Sequence, residues 1–113
     1  MISEYDLIQD MNNNLMLANQ AINQMSKLGK EKAETEAAYR IALAEKMLKE
    51  RNENNTPVGM LSDICRGDRE IALLKVKRDC ADSMYDANLQ AIYLYKKRVD
   101  ICQQQLTLEW GRQ

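Results

Sequence analysis

The chain has 113 residues, one domain's length, with no Phe, a single Pro and four Gly, and 29% of it is charged. An all-β fold needs turn residues about every ten positions, and a chain so poor in Gly and Pro and rich in Met, Ala, Leu, Gln, Asn, Glu and Lys excludes it in favour of an all-α one. The absence of His removes imidazole bases and imidazole metal sites, and a net charge of −1 exerts no global pull on nucleic acid or membrane.

The N-terminal stretch MISEYDLIQDMNNN has neither a basic region nor an apolar one, so no secretory signal is expected. No apolar run approaches the ~18 residues of a membrane span. The first helix is expected over 3–28, with Ser3 as its N-cap and Leu7, Met11, Leu15, Ala18, Ile22 and Met25 on its inner stripe. Its opposite face carries Asn12, Asn13, Asn14, Asn19, Gln20, Asn23 and Gln24 with almost no charge. Such a face meets a protein partner at little cost in charge desolvation, and Asn12, Asn13, Asn19, Gln20, Asn23 and Gln24 are the candidate partner surface.

Continuing the stripe puts Gly29, Lys32 and Glu36 inside, so a break near Gly29 is expected, with a second helix over 31–53. There Ala33, Ala37, Ile41, Ala44 and Leu48 form one stripe, flanked by Tyr39, Leu43 and Met47. The pairs Glu36–Arg40 and Glu45–Lys49 have i,i+4 spacing. Thr56 as N-cap and Pro57 at the first helical position start a short helix over 57–66. Gly67 is read as its left-handed C-terminal residue and Asp68 as the N-cap of the last helix, which also accounts for the Arg66-Gly67-Asp68 tripeptide without an adhesion role.

The last helix, 68–110, carries a sustained heptad seam: Ile71, Leu74, Arg78, Ala81, Tyr85, Asn88, Ile92, Tyr95, Val99, Cys102 and Leu106. At a rise of ~1.5 Å per residue it is about 65 Å long. It must fold back on the first half of the chain, pair with another copy, or both. A small single core is marginal, so the seam is read as the contact of a homo-oligomer, a dimer first, with Asn88 fixing register. The fold is thus expected to be a single all-α domain over 1–113, a long antiparallel helical hairpin within a coiled-coil bundle.

Motifs for catalysis are missing. Glu31/Glu34, Glu50/Glu53 and Asp79/Asp82 have the i,i+3 spacing with which all-helical nucleotide pyrophosphatases hold Mg²⁺, but 17 acids in a helical chain produce such pairs by chance. No Gly-rich phosphate loop, nucleophile elbow or Cys/His pair occurs. No enzyme, cofactor or metal site is therefore expected. Cys65, Cys80 and Cys102 are an odd number without metal spacing and read as reduced apolar residues. The basic clusters Lys75, Lys77, Arg78 and Lys96-Lys97-Arg98 invite nucleic acid. Segment charges of −2 for 1–28, zero for 29–53 and +1 for 54–113 argue against it.

The WXG-type helical hairpins are excluded, since the one Trp, Trp110, lies near the C-terminus and not in the inter-helix turn. The segments Tyr39-Arg40, Thr56-Pro57-Val58, Asp63-Ile64-Cys65-Arg66-Gly67-Asp68, Arg78-Asp79, Tyr85 and Glu109-Trp110 make residues 37–110 similar to small helical proteins of tailed phages and prophages of Gram-positive bacteria. No activity is attached to that family, so no site residues come with it. The resemblance implies a bacterial cytoplasm and an accessory that works by protein–protein contact, host-defence nucleases being one kind of partner. The alternatives are a nucleic-acid-associated accessory of phage recombination or replication, and the Mg²⁺-dependent pyrophosphatase.

Overall fold

The computed structural model describes residues 3–112. Three helices follow in order: α1 (Glu4–Asn54), α2 (Val58–Arg66) and α3 (Arg69–Gly111). No strand occurs among the described residues. The chain packs as two compact units. Unit 1 joins the residues up to Ser26 to those from Asp86 onward, and unit 2 is Lys27–Tyr85.

In unit 1 the start of α1 lies antiparallel to the end of α3. The inner face of α1 is Leu7, Met11, Asn14, Ala18, Ala21 and Met25, and that of α3 is Asn88, Ile92, Tyr95, Val99, Cys102 and Leu106, all buried or half-buried. Both follow alternating steps of four and three, the spacing of two helices sharing one seam. Asn14 and Ala21 therefore take the places the sequence pattern gave to Leu15 and Ile22, which are each 44% exposed. Asn14 is tolerated because its amide donates to the Asp10 carbonyl of its own helix at 2.8 Å. Ser3 caps α1 as expected, its Oγ accepting from the Asp6 amide at 3.1 Å. Trp110 Nε1 donates to Glu4 Oε1 at 2.6 Å. Midway, Asn88 Nδ2 donates to the Ala21 carbonyl at 2.8 Å and reaches Met25 Sδ at 2.9 Å.

In unit 2 the rest of α1 lies antiparallel to the start of α3. The break expected near Gly29 does not occur, and α1 is one helix of 51 residues. The reason is that the polar positions of its seam are matched from α3. Lys32 Nζ sits 4.5 Å over the Tyr85 ring, and Arg78 lies 4.5 Å over the Tyr39 ring with its Nε 3.4 Å from Glu36. The inward residues are thus Lys32, Glu36, Tyr39, Leu43 and Met47, while the expected stripe of Ala33, Ala37, Ile41, Ala44 and Leu48 is exposed.

Helix α1 is followed by Asn55, whose φ of 51° is left-handed. Asn tolerates that region better than most residues. Glu50 ties the turn together. Its carboxylate accepts from Asn54 Nδ2 at 3.0 Å and the Thr56 hydroxyl at 3.3 Å, with Lys46 Nζ at 3.7 Å. These contacts, the Asn54 bond foremost, hold the Glu50 carboxyl below its ordinary range. Thr56 is consequently buried in this clasp and does not cap α2, whose N-cap is Pro57. Cys65 of α2 is fully buried, which pushes its thiol pKa up and favours the neutral form.

Gly67 closes α2 with φ −78° and ψ −9°, a right-handed conformation and not the left-handed one the sequence suggested. The chain turns there because Asp68 caps α3, its Oδ2 accepting from the amides of Glu70 at 3.1 Å and Ile71 at 3.3 Å.

Two outcomes follow for stability. A Cβ at Gly67 would stand 3.4 Å from the Asp63 carbonyl, an ordinary contact. Gly67→Ala is therefore expected to leave thermal stability unchanged or raise it by about 0.4–1 kcal/mol through the unfolded state; a lower Tm would show that this turn needs glycine. Asn88→Asp turns a donor into an acceptor facing the Ala21 carbonyl. It is expected to cost on the order of 1–3 kcal/mol at neutral pH in urea unfolding, and less in acid, where the protonated carboxyl donates again.

Candidate nucleic-acid interface

The seam assigned to contact between copies is occupied within the chain. In unit 2, Ile71 is buried and Leu74, Arg78, Ala81 and Tyr85 are half-buried. In unit 1, Asn88 bonds the chain's own α1 and there fixes the register of α1 against α3. The candidate partner residues Asn12, Asn13, Asn19, Gln20, Asn23 and Gln24 are all exposed on α1 of unit 1.

The basic clusters sort differently from their order in the chain. Lys75 and Arg78 line a groove of about 560 Å³ in unit 2, together with Arg40, Arg66, Glu36, Tyr39, Leu43, Ala44 and Met47. Lys77 lines a separate cleft with Glu34, Thr35, Ala38 and Leu74. Lys96, Lys97 and Arg98 are exposed on α3 of unit 1, one helical turn beyond the exposed Tyr93.

The groove draws its cations from all three helices, with Arg40 on α1, Arg66 in the last turn of α2, and Lys75 and Arg78 on α3. Arg40 and Arg66 are not legible as members of this cluster in the sequence, because the four cations lie on three helices and no single helix carries them together. A signal was present, since Tyr39-Arg40, Arg66 and Arg78-Asp79 all stand in the segments that carry the phage resemblance.

Four cations here meet one lining carboxylate, Glu36. Arg78 is the most fixed of them. Its Nε and one terminal nitrogen donate to Asp79 Oδ1 at 3.1 and 3.0 Å, and its side chain is only 20% exposed. The Asp79 hydrogen bond pushes its pKa further up, so it is charged at every working pH. Arg40 Nε donates to Glu36 Oε1 at 2.6 Å. The ion pairs among the described residues do not engage Arg66 or Lys75. A planar guanidinium stacked on a tyrosine, with two uncommitted cations over an apolar floor, suits a phosphate chain or an acidic ligand.

One carboxylate of each pair with Mg²⁺-like spacing has a partner of its own. Glu50 belongs to the clasp at the end of α1, Glu34 pairs with Lys30 at 3.8 Å and Asp79 with Arg78. Among the described residues, no group of three or more His, Cys, Asp or Glu side chains is placed to hold a metal ion. None of the helices described is long and apolar enough to cross a membrane.

No protein-family model matches the chain, and no curated protein matches it in sequence. Its fold is similar to that of the bacteriophage T4 recombination mediator protein UvsY, with a TM-score of 0.83 and 18% sequence identity over 100% of this chain and 89% of that one. At that identity the likeness is one of fold, and the all-α helical hairpin expected from the sequence is the fold of a phage protein.

Proposed function

We propose that this chain is a non-enzymatic accessory of phage recombination or replication that holds the phosphate backbone of nucleic acid in the groove of unit 2. The observation that carries the reading is the full-length likeness of fold to a phage recombination mediator. The groove supports it, because Arg66 and Lys75 are uncommitted and Arg78 is braced on Tyr39. The even distribution of charge that argued against nucleic acid is a property of the sequence segments. It does not describe a groove assembled from three helices.

The net charge of −1 makes the expected affinity modest and local to the groove. Two to four phosphate contacts correspond to a log–log salt slope of about −1.5 to −3 on single strands. Binding of a single-stranded oligonucleotide, followed by anisotropy at rising salt, is expected to fall with that slope. Arg66→Glu with Lys75→Glu is expected to abolish it, while Lys96→Glu with Lys97→Glu changes it little. A salt-independent affinity, or one indifferent to Arg66 and Lys75, would leave the reading without its site.

Protein contact is the second part of the role. The Asn and Gln residues of unit 1 offer an uncharged hydrogen-bonding face to a protein of the phage or its host, a host-defence protein being the kind implied by the resemblance. Copies of the chain also associate in this reading, but not through the seam. The exposed row Ala87, Leu94, Ile101 and Leu108 on α3 of unit 1 has heptad spacing and lies outside the α1 contact. Sedimentation is expected to give an oligomer that Leu94→Lys with Ile101→Lys dissociates; a monomeric parent chain at micromolar concentration would remove self-association from the role.

A further inference from the structure

Glu36 stands apart in the groove. It is the one carboxylate among the lining residues, and it touches two of the four cations. Oε1 accepts from Arg40 Nε at 2.6 Å, and Oε2 lies 3.4 Å from Arg78 Nε. The two arginines come from different helices, so the carboxylate spans α1 and α3 of unit 2. A phosphodiester also offers two charged oxygens on one centre and engages guanidinium groups in the same way.

We infer that Glu36 is a built-in competing anion. It takes the Nε–H of Arg40 and sets a negative charge beside Arg78, whose own Nε–H goes to Asp79, at the place a nucleic-acid phosphate would take, and so sets the groove's affinity. This rests on the reading of the groove as a phosphate-backbone site. Arg66 and Lys75 supply the first attraction. A phosphate that engages Arg40 and Arg78 together competes with the Glu36 carboxylate between them. The two arginines differ in what they can give up. Arg40 is 76% exposed and free to turn toward a ligand, whereas Arg78 is held by Tyr39 and Asp79 and stays in place. Exchange of Glu36 for a phosphate thus needs the movement of two exposed or half-exposed side chains and leaves the helices where they are.

The test is Glu36→Gln, which keeps the shape and removes the charge, beside Glu36→Asp, which keeps the charge. Two probes are titrated: a single-stranded oligodeoxythymidine and inorganic tripolyphosphate. Circular dichroism melts confirm that both variants fold, and the Nε–H resonances of Arg40 and Arg78 are followed by NMR. Glu36→Gln is expected to bind both probes about three- to tenfold more tightly, with both arginine resonances moving on titration. Glu36→Asp is expected to stay within about twofold of the parent. If Glu36→Gln binds no tighter while Arg66→Glu with Lys75→Glu still abolishes oligonucleotide binding, the competing role is overturned and the groove reading stands. Should the oligonucleotide not bind at all, the groove reading falls. Tripolyphosphate then decides the role of Glu36 alone, an unchanged affinity or unmoved arginine resonances overturning it.

Discussion

A helix face cannot turn Lys32, Glu36 and Arg78 inward unless each meets a partner, because desolvating an unmatched charge costs more than the surrounding packing returns. In unit 2 that constraint is met by pairing across the two helices. Arg78 lies on Tyr39 and reaches Glu36, and Lys32 lies on Tyr85. The continuity of α1 through Gly29 follows, since a seam whose polar positions are answered gives the chain no reason to turn. The groove follows as well. The residues that close the seam are half-buried at its edge, so their charges serve packing on one side and face solvent on the other.

What could be read from the chain beforehand depended on whether one helix carried the whole signal. The seam of α3 was legible because its apolar spacing runs without interruption from Ile71 to Leu106, and its two polar members keep the same phase. The inner face of α1 was not. Leu15 and Ile22 look like better core residues than Asn14 and Ala21, and Ala33 to Leu48 looks like a better stripe than Lys32, Glu36 and Tyr39. Hydrophobicity by residue chose the wrong phase in both places, by one position at Leu15 and Ile22 in unit 1 and by one or two positions along the whole stripe in unit 2. The strict heptad of α1 becomes visible only when the polar residues are scored by what α3 offers them. The left-handed turn was likewise placed at a glycine when it belonged to Asn55, one of the few non-glycine types that tolerate it.

The candidate site shows the same limit more sharply. Lys75 and Arg78 were legible as a cluster, being neighbours on one helix. Arg40 and Arg66 were not, because they join that cluster only through the packing of three helices: Arg40 stands 38 positions before Arg78, and Arg66 12 positions before it but on another helix. The near-zero charge of every segment was a true statement about the chain and a poor guide to its surface. Local fields depend on which side chains converge, and four cations with Glu36 as the one lining carboxylate make a positive groove in a chain whose total is negative.

Trp110 is the one tryptophan of the chain, and its indole N–H is bonded to Glu4 at the far end of unit 1. That position makes the protein's intrinsic fluorescence a local reporter. Excited selectively, the indole registers separation of the first turn of α1 from the last turn of α3, an event that precedes loss of the inner seam because helix ends open before their middles. The Asn88 contact, half-buried farther along, has no chromophore of its own. An emission trace and a far-ultraviolet trace of the same sample therefore describe two different openings, and the interval between them measures how far the end of unit 1 frays before the rest of its seam gives way.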